Sequence, residues 1–334
     1  MKLSTPRWWY ARDGRSMRLT RAALAPVSWI WAKATARRIA SGRAYDPGVP
    51  VICVGNLTLG GTGKTPLVRE IVRRLAARGR AAHILTRGHG GRLAGPSRVD
   101  PETHVAAEVG DEALMMAGDA PVWVARDRMA GARAAVAAGA GVIVMDDGHQ
   151  NSSVRKTLSL IVVDGETRDD EWPFGDGRVF PAGPMREPIA AGLARADAVI
   201  VLLPADLDAA DPELLALFAG KPTLIAHLLP ASPPPSGPQL AFAGIGKPWK
   251  MERALKAAGC DLVDFAPLPD HAAMGEATLK FLARRAKELG AGLLTSEKDW
   301  VRLNPAWRAK ITPWPVAVAF ADDAAVERLL RGVR

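Results

Sequence analysis

An α/β fold is what this chain of 334 residues predicts, with a mainly parallel sheet in its first part and a second, smaller α/β domain after it. Three observations carry that expectation. From residue 51 onward, short apolar runs rich in Val, Ile and Leu alternate with longer stretches of helical period, the rhythm of strands and crossover helices in a parallel sheet. The first such strand, VICVG, leads through the glycine-rich passage NLTLGGTGKT into a helix, the local plan of a P-loop NTPase-like domain. Near residue 230 the passage PASPPPSGP interrupts the rhythm, since proline stiffens the chain and offers no N–H, and a second series of strands and helices follows. The boundaries expected are 1–45 for an N-terminal segment, 46–205 for a nucleotide-binding domain, 206–238 for a linker and 239–334 for the smaller domain.

The N-terminal segment differs in kind. MRLTRAALAPVSWIWAKATARRIA has an apolar middle, AALAPVSWIWA, with Arg18 and Arg21 before it and Lys33, Arg37 and Arg38 after it. That run is shorter than the ~20 apolar residues of a spanning helix, and it lacks the small-residue cleavage pattern of a secretory signal. Tryptophans at 8, 9, 29 and 31 beside cations suit a membrane-associated helix lying in a bilayer interface, outside the globular core. The other reading is a helix packed on the core.

Next in order come VICVG as a buried strand and a helix over PLVREIVRRLAARG, with Pro66 near its start and Gly79 at its end. AAHILTRG and PVWVARD follow as strands, RMAGARAAVAAG as a helix, and GVIVMDD and SLIVVDG as further strands. Ligands of such sheets bind beyond the carboxyl ends of the strands, a rule that gathers Lys64, Arg87, Arg126, Asp146, Asp147 and Asp164 at one edge. The smaller domain is expected from QLAFAGI, a helix from about Lys247 to Ala258, DLVDFAPL, a long helix ending near RRAKELG, and AGLLTSEKD.

With 48% hydrophobic and 24% charged residues, the chain packs a core rather than remaining disordered. Lys and Arg exceed Asp and Glu by 44 to 35, a net +9 that suits an anionic partner such as a nucleotide, a nucleic acid or a headgroup layer. The cations form no dense stripe interleaved with aromatics, which argues against nucleic acid, and no segment marks a protein partner. Cys53 and Cys260 lack metal-ligand spacing and read as small hydrophobes of a reducing compartment.

Chemistry concentrates in two passages. Glycine lets backbone N–H groups fold inward around an anion, and the helix that follows adds its own unpaired N–H groups and positive dipole end. Thr58, Leu59, Gly60, Gly61, Thr62, Gly63, Lys64 and Thr65 are therefore the candidate ATP-binding residues, with Lys64 on the β and γ phosphates and Thr65 on Mg²⁺. Thr58 stands where the usual pattern has its first glycine. The second passage, GVIVMDDGHQN, ends an apolar strand in Asp146 and Asp147. A carboxylate there, near Thr65, makes a magnesium site, whereas Asp-Asp-Gly is also a good solvated turn.

Taken in order, GNLTLGGTGKTP, TRGHGG, VGDE, MDDGHQN, GRVFPAGPMREP, LPDHAAM and TSEKDWVRL resemble the tetraacyldisaccharide 4'-kinase family of the lipid A pathway. The leading PRWWY and LAPVSWIW also resemble that family's membrane-associated start. The resemblance implies transfer of the ATP γ-phosphate to the 4'-hydroxyl of an acylated glucosamine disaccharide 1-phosphate lipid, at the cytoplasmic face of the inner membrane. Asp111 in VGDE then matches the family's catalytic carboxylate, and His271 in LPDHAAM the histidine that pairs with it across two domains. A carboxylate supported by an imidazole takes the proton of a weakly nucleophilic hydroxyl; alternatively, Asp111 favours a helix dipole and His271 a turn. Arg87, Arg126, Arg178 and Arg186 are candidates for holding phosphate, or else surface ion pairs, and Arg87, Gln150, Arg178 and Arg186 are the candidate substrate residues. Gln150 matches the family's glutamine after the metal carboxylates. Lys298 and Asp299 match a motif near the nucleotide, or form an ordinary surface pair.

The chain departs from the family at His149, His89, Asp176, Ala272, Ala273 and Met274. A different class, the membrane-associated partitioning ATPases, also joins GGTGKT to an amphipathic helix. That class expects a lysine directly before the paired glycines, where this chain has Leu59, and it leaves the DH and EKD segments unexplained.

Overall fold

The structure is a computed structural model that describes residues 6–12, 17–270 and 274–333. In chain order the first elements are α1 (Arg18–Ala40), β1 (Val51–Gly55), α2 (Lys64–Ala77), β2 (Ala82–Thr86), β3 (Ser97–Arg98), α3 (Ala106–Val109), α4 (Asp111–Met116), β4 (Val122–Val124) and α5 (Arg128–Ala137). Then come β5 (Val142–Asp146), β6 (Leu158–Asp164), β7 (Ala198–Pro204), β8 (Thr223–Pro230), β9 (Gln239–Ala243), β10 (Leu262–Pro267), β11 (Gly292–Ser296), β12 (Thr312–Trp314) and β13 (Val316–Phe320).

Among the described residues, nine strands form one sheet in the order β13-β8-β7-β6-β1-β5-β2-β4-β3, and four form another in the order β10-β9-β11-β12. From β8 to β4 all neighbours are parallel, while the edge strands β13 and β3 are antiparallel. A parallel sheet is covered on both faces, so VICVG and VIVMD are apolar almost throughout and buried at every position. Strand alternation assigns the faces. Ile52, Val54 and Val144 meet Leu67, Ile71 and Leu75 of α2, whereas Cys53, Ile143 and Met145 meet Ala132 and Ala135 of α5. In the smaller sheet Leu240 and Phe242 pack on Leu279 and Leu282 of the helix Glu276–Glu288, and Ala241 and Ala243 on Met251 and Leu255 of the helix Pro248–Ala257.

The domain boundaries differ from those expected. Within 206–238 lie a helix, Pro212–Ala216, and β8, a strand of the large sheet, so 231–238 alone has the character of a connection. Residues 316–333 return to the large domain, where β13 pairs with β8, and Val326 and Leu330 of the helix Asp323–Arg331 enter the same core as α2. The small domain is thus an insertion whose two crossings lie side by side, the Ala231 N–H donating to the Pro315 carbonyl at 3.0 Å. Apolar alternation in TLIAHLLP and VAVAF announces strands; it does not say which sheet they join.

The segment 1–45 is corrected as well, because α1 is docked rather than set apart. Its inward face is polar: Arg21, Ser28 and Thr35, spaced seven apart, are buried. Arg21 pairs with Asp176 and its guanidinium lies over the Trp8 ring, and the Ser28 hydroxyl accepts the Ala182 N–H at 3.1 Å. The apolar side chains of Leu19, Val27, Trp29 and Ile30 face outward, whereas Trp31 packs edge-on against Phe180 at 4.9 Å and donates through its indole N–H to the Arg186 carbonyl at 3.3 Å.

Leu330→Ala tests the return of the C-terminus to the large domain. Its side chain is 1% exposed, so truncation is expected to cost about 2–5 kcal/mol in urea unfolding followed by the tryptophans. An unchanged midpoint contradicts this packing.

Candidate functional site

The turn between β1 and α2 lies at the centre of the sheet. Gly60 and Gly63 have φ of 100° and 76°, a region that side chains with Cβ rarely enter. Its first half is fastened from outside: the Arg186 N–H donates to the Leu57 carbonyl at 2.8 Å, the Leu59 N–H to Pro184 at 2.8 Å, and the Tyr10 hydroxyl to the Leu59 carbonyl at 2.6 Å. Thr58 is buried and bridges Met185 in an antiparallel pair without a positive φ, so glycine's freedom is not needed at that position. Among the described residues no backbone carbonyl accepts from the N–H groups of Gly60 to Gly63, and the first N–H groups of α2 have no intrahelical partner. These donors converge at the positive end of a helix.

The register of β1 with β5 sets Asp146 beside Val54, at the root of this turn. The Thr86 hydroxyl donates to one Asp146 oxygen at 3.1 Å, and the other oxygen is buried without a hydrogen-bond partner. Burial, with the neighbouring Asp147 charge, pushes the Asp146 carboxyl up to about 6. Asp147 leaves the strand with φ of 52°. Burial alone would raise it too, but Lys64 Nζ at 3.6 Å and Arg186 Nη1 at 2.8 and 3.0 Å hold it well below the usual carboxylate range. Arg186 also donates through Nε to the Thr58 carbonyl at 2.9 Å, which places it at the glycine-rich turn rather than apart from it on the acceptor side.

The smaller domain supplies the opposite wall. Gly246 lies against the turn, since a side chain there would stand 4.0 Å from the Gly61 nitrogen and 3.6 Å from the Asp270 carboxylate. On one flank Lys298 Nζ meets Glu112 at 2.8 Å and Arg302 meets Asp111, both acids lying in the first turn of α4. On the other flank, Lys247 and Lys250 meet Asp164 at 3.1 and 2.7 Å, and Arg253 meets Asp169 at 2.7 Å. These lysines hold Asp164 down to about 2 against the upward push of burial.

The remaining candidates fall as follows. Asp299 is fully buried and turned inward, accepting from the Gly244 N–H at 2.9 Å and from Arg302 at 2.9 Å. Gln150 Nε2 donates to Asn56 and Glu187 at 2.9 and 3.0 Å and braces the loop beneath the turn. Arg178 pairs with Asp176 at 3.0 Å, while Arg87 and Arg126 are exposed beyond β2 and β4. His271 lies outside the described residues. His149 is buried, with Nε2–H donating to the Gly192 carbonyl at 3.0 Å and Nδ1 3.1 Å from the Ser159 hydroxyl. Burial pushes it down to about 4, so it is a neutral packing residue. Gly55 accommodates it, since a Cβ there would stand 2.5 Å from that of His149. Arg302 was missed by reasoning from sequence, although it stands within TSEKDWVRL; what identifies it is its contact with Asp111 across the cleft.

The family model described as Tetraacyldisaccharide-1-P 4'-kinase matches residues 20–334. Tetraacyldisaccharide 4'-kinase of Phenylobacterium zucineum is 68% identical over 333 residues, covering 100% of both chains. That of Rhodospirillum centenum is 49% identical, covering 98% of this chain and 96% of the relative. A crystal structure of LpxK from Aquifex aeolicus in complex with ATP shares the fold, with a TM-score of 0.73 at 24% identity, covering 94% of this chain and 100% of that one.

The Asp146 environment yields a pH test. A carboxyl raised on folding stabilises the native state below its unfolded value, and that contribution is lost as pH rises through about 6. Asp146→Asn escapes the loss, so the variant is expected to exceed the parent in denaturant stability at pH 8 by about 2–3 kcal/mol, with the gap closing near pH 4. A difference that does not vary with pH contradicts the assignment.

Proposed function

The chain belongs to the tetraacyldisaccharide-1-P 4'-kinase family, and from that membership we infer that it transfers the γ-phosphate of ATP to the 4'-hydroxyl of tetraacyldisaccharide 1-phosphate, forming lipid IVA in lipid A biosynthesis. The partitioning-type ATPase falls with that match. The observation that carries the residue-level reading is the position of Lys64, at the start of α2, between the converging N–H groups of the turn and the carboxylate of Asp147.

In this reading the turn is a phosphate loop. N–H groups from Gly60 to Thr65 hold the β and γ phosphates and Lys64 neutralises them, so that catalysis rests on position and charge. Lys298 stands on the facing wall, near the phosphates. Thr65, Asp146 and Asp147 offer hard oxygen donors, and the Asp146 oxygen without a hydrogen-bond partner fits a cation ligand. They would hold Mg²⁺, which when bound offsets the negative charge that builds on the phosphates. Asp111, with His271 as its partner, accepts the proton of the 4'-hydroxyl as that oxygen attacks the γ phosphorus and the bond to the β–γ bridging oxygen breaks. Arg87 and Arg178 serve the acceptor side.

The outward face of α1 supports residence on the cytoplasmic face of the inner membrane. Among the described residues no helix is long and apolar enough to cross a membrane. On α1, however, the usual polarity is inverted, with Arg21, Ser28 and Thr35 inward and Leu19, Trp29 and Ile30 outward beside Lys33, Arg37 and Arg38. Such a face gains by lying among headgroups.

In a thin-layer assay with γ-labelled ATP, label is expected on the disaccharide 1-phosphate lipid. Lys64→Ala is expected to lower turnover by about a hundredfold or more, and Asp111→Ala by a similar factor. Near-parental turnover in either overturns its assignment. Replacing Leu19, Trp29 and Ile30 together by Ser is expected to abolish co-sedimentation with anionic vesicles while detergent-dispersed acceptor is still phosphorylated. Retained sedimentation removes α1 as the membrane contact.

A further inference from the structure

Arg302 has no part in the reaction described so far, yet its contacts are specific. It stands on the turn after the helix Glu297–Trp300 of the smaller domain and crosses the cleft to the large domain. Nε donates to Asp111 Oδ2 at 2.8 Å, and Nη2 addresses the same oxygen. Nη1 turns back to Asp299 Oδ1 at 2.9 Å and to the Gly244 carbonyl at 3.3 Å. Asp299 is in turn fixed by the Gly244 N–H at 2.9 Å and the Ser296 hydroxyl at 2.6 Å. The guanidinium is therefore held from behind by a buried carboxylate and presented to Asp111 as a planar fork, with side-chain exposures of 10% for Arg302 and 12% for Asp111. A pair so withdrawn from water is screened little by salt.

Resting on Asp111 as the general base, we propose that Arg302 is a positioning residue, delivered by the smaller domain, that orients and charges the Asp111 carboxylate so that the base is competent only when the two domains are closed. Nε and Nη2 both address Oδ2, which fixes the rotation of the carboxylate. An adjacent cation favours the ionised form of a carboxylate, which a base requires. Among the described residues, charged groups around Asp111 include Asp299 behind Arg302, Glu112 with its partner Lys298, and Lys64 and Asp146 within electrostatic reach of Glu112. Opening the domains would withdraw the fork and leave Asp111 without it, which discourages transfer to water before the acceptor is enclosed.

The test compares Arg302→Gln, Arg302→Lys, Asp111→Asn and the Gln/Asn double variant in the full chain, after thermal unfolding has shown each to be folded. Arg302→Gln is expected to lose about tenfold or more in kcat at neutral pH, with KM for ATP little changed and the deficit narrowing as pH is raised. Arg302→Lys, which keeps the charge but not the fork, is expected to restore the parental pH dependence with part of the kcat loss remaining. In the Asp111→Asn background the Gln substitution should add little. A parental pH profile in Arg302→Gln, a loss confined to KM for ATP, or a full additional loss in the double variant overturns the inference. An inactive Asp111→Asn beside an unshifted Arg302→Gln removes Arg302 alone, whereas near-parental turnover in Asp111→Asn removes the base and Arg302 together.

Discussion

Two carboxylates side by side at the end of a central strand cannot both carry charge without cations close by, and the surroundings of the glycine-rich turn are built around that constraint. Asp146 remains within the strand, deprived of water, and is pushed up; Asp147 leaves it and is held down by Lys64 and Arg186. Meeting Asp147 brings Arg186 onto the Thr58 carbonyl, and its chain neighbours Pro184 and Met185 onto Leu59 and Thr58. The segment after β6 thereby becomes the outer support of the glycine-rich turn. The shape of the turn and the charge balance of the acids are one arrangement, since Arg186 serves both.

A second pattern governs how the domains meet. Most of the acids at the cleft belong to the large domain, Asp111, Glu112, Asp164, Glu166 and Asp169, and most of the cations to the smaller one, Lys247, Lys250, Arg253, Lys298 and Arg302. Arg69 with Glu297 reverses the polarity on one flank. Exposed pairs contribute little individually, yet these flank a narrow cleft and agree in direction, so they favour one closed arrangement over many. The two crossings lie side by side near Ala231 and Pro315, so the covalent connection between the domains is confined to one place.

The N-terminal helix shows how a sequence signal can conceal a contact. Tryptophans and cations around an apolar middle are legible as an interfacial segment, and its outward face has that character. Arg21 looks like one more flanking cation. It is instead the buried anchor of the helix, because Asp176 and the Trp8 ring are brought to it by the fold. The same carboxylate accounts for Asp176, which as a departure from the family had no local explanation.

By itself the sequence determined what depends on near neighbours: the apolar strands and their alternation with helices, the glycine-rich turn ahead of Lys64, the acids ending β5, and the ordered motifs that identify the family. These follow from backbone freedom, period and side-chain chemistry over a few residues. Only the tertiary structure decided that β8 and β13 join the large sheet, that Arg186 reaches the glycine-rich turn, that Asp299 faces inward and that Arg302 reaches Asp111. Each of these unites residues far apart along the chain. A buried charge takes whichever partner the packing brings within reach, and neither period nor propensity records that choice.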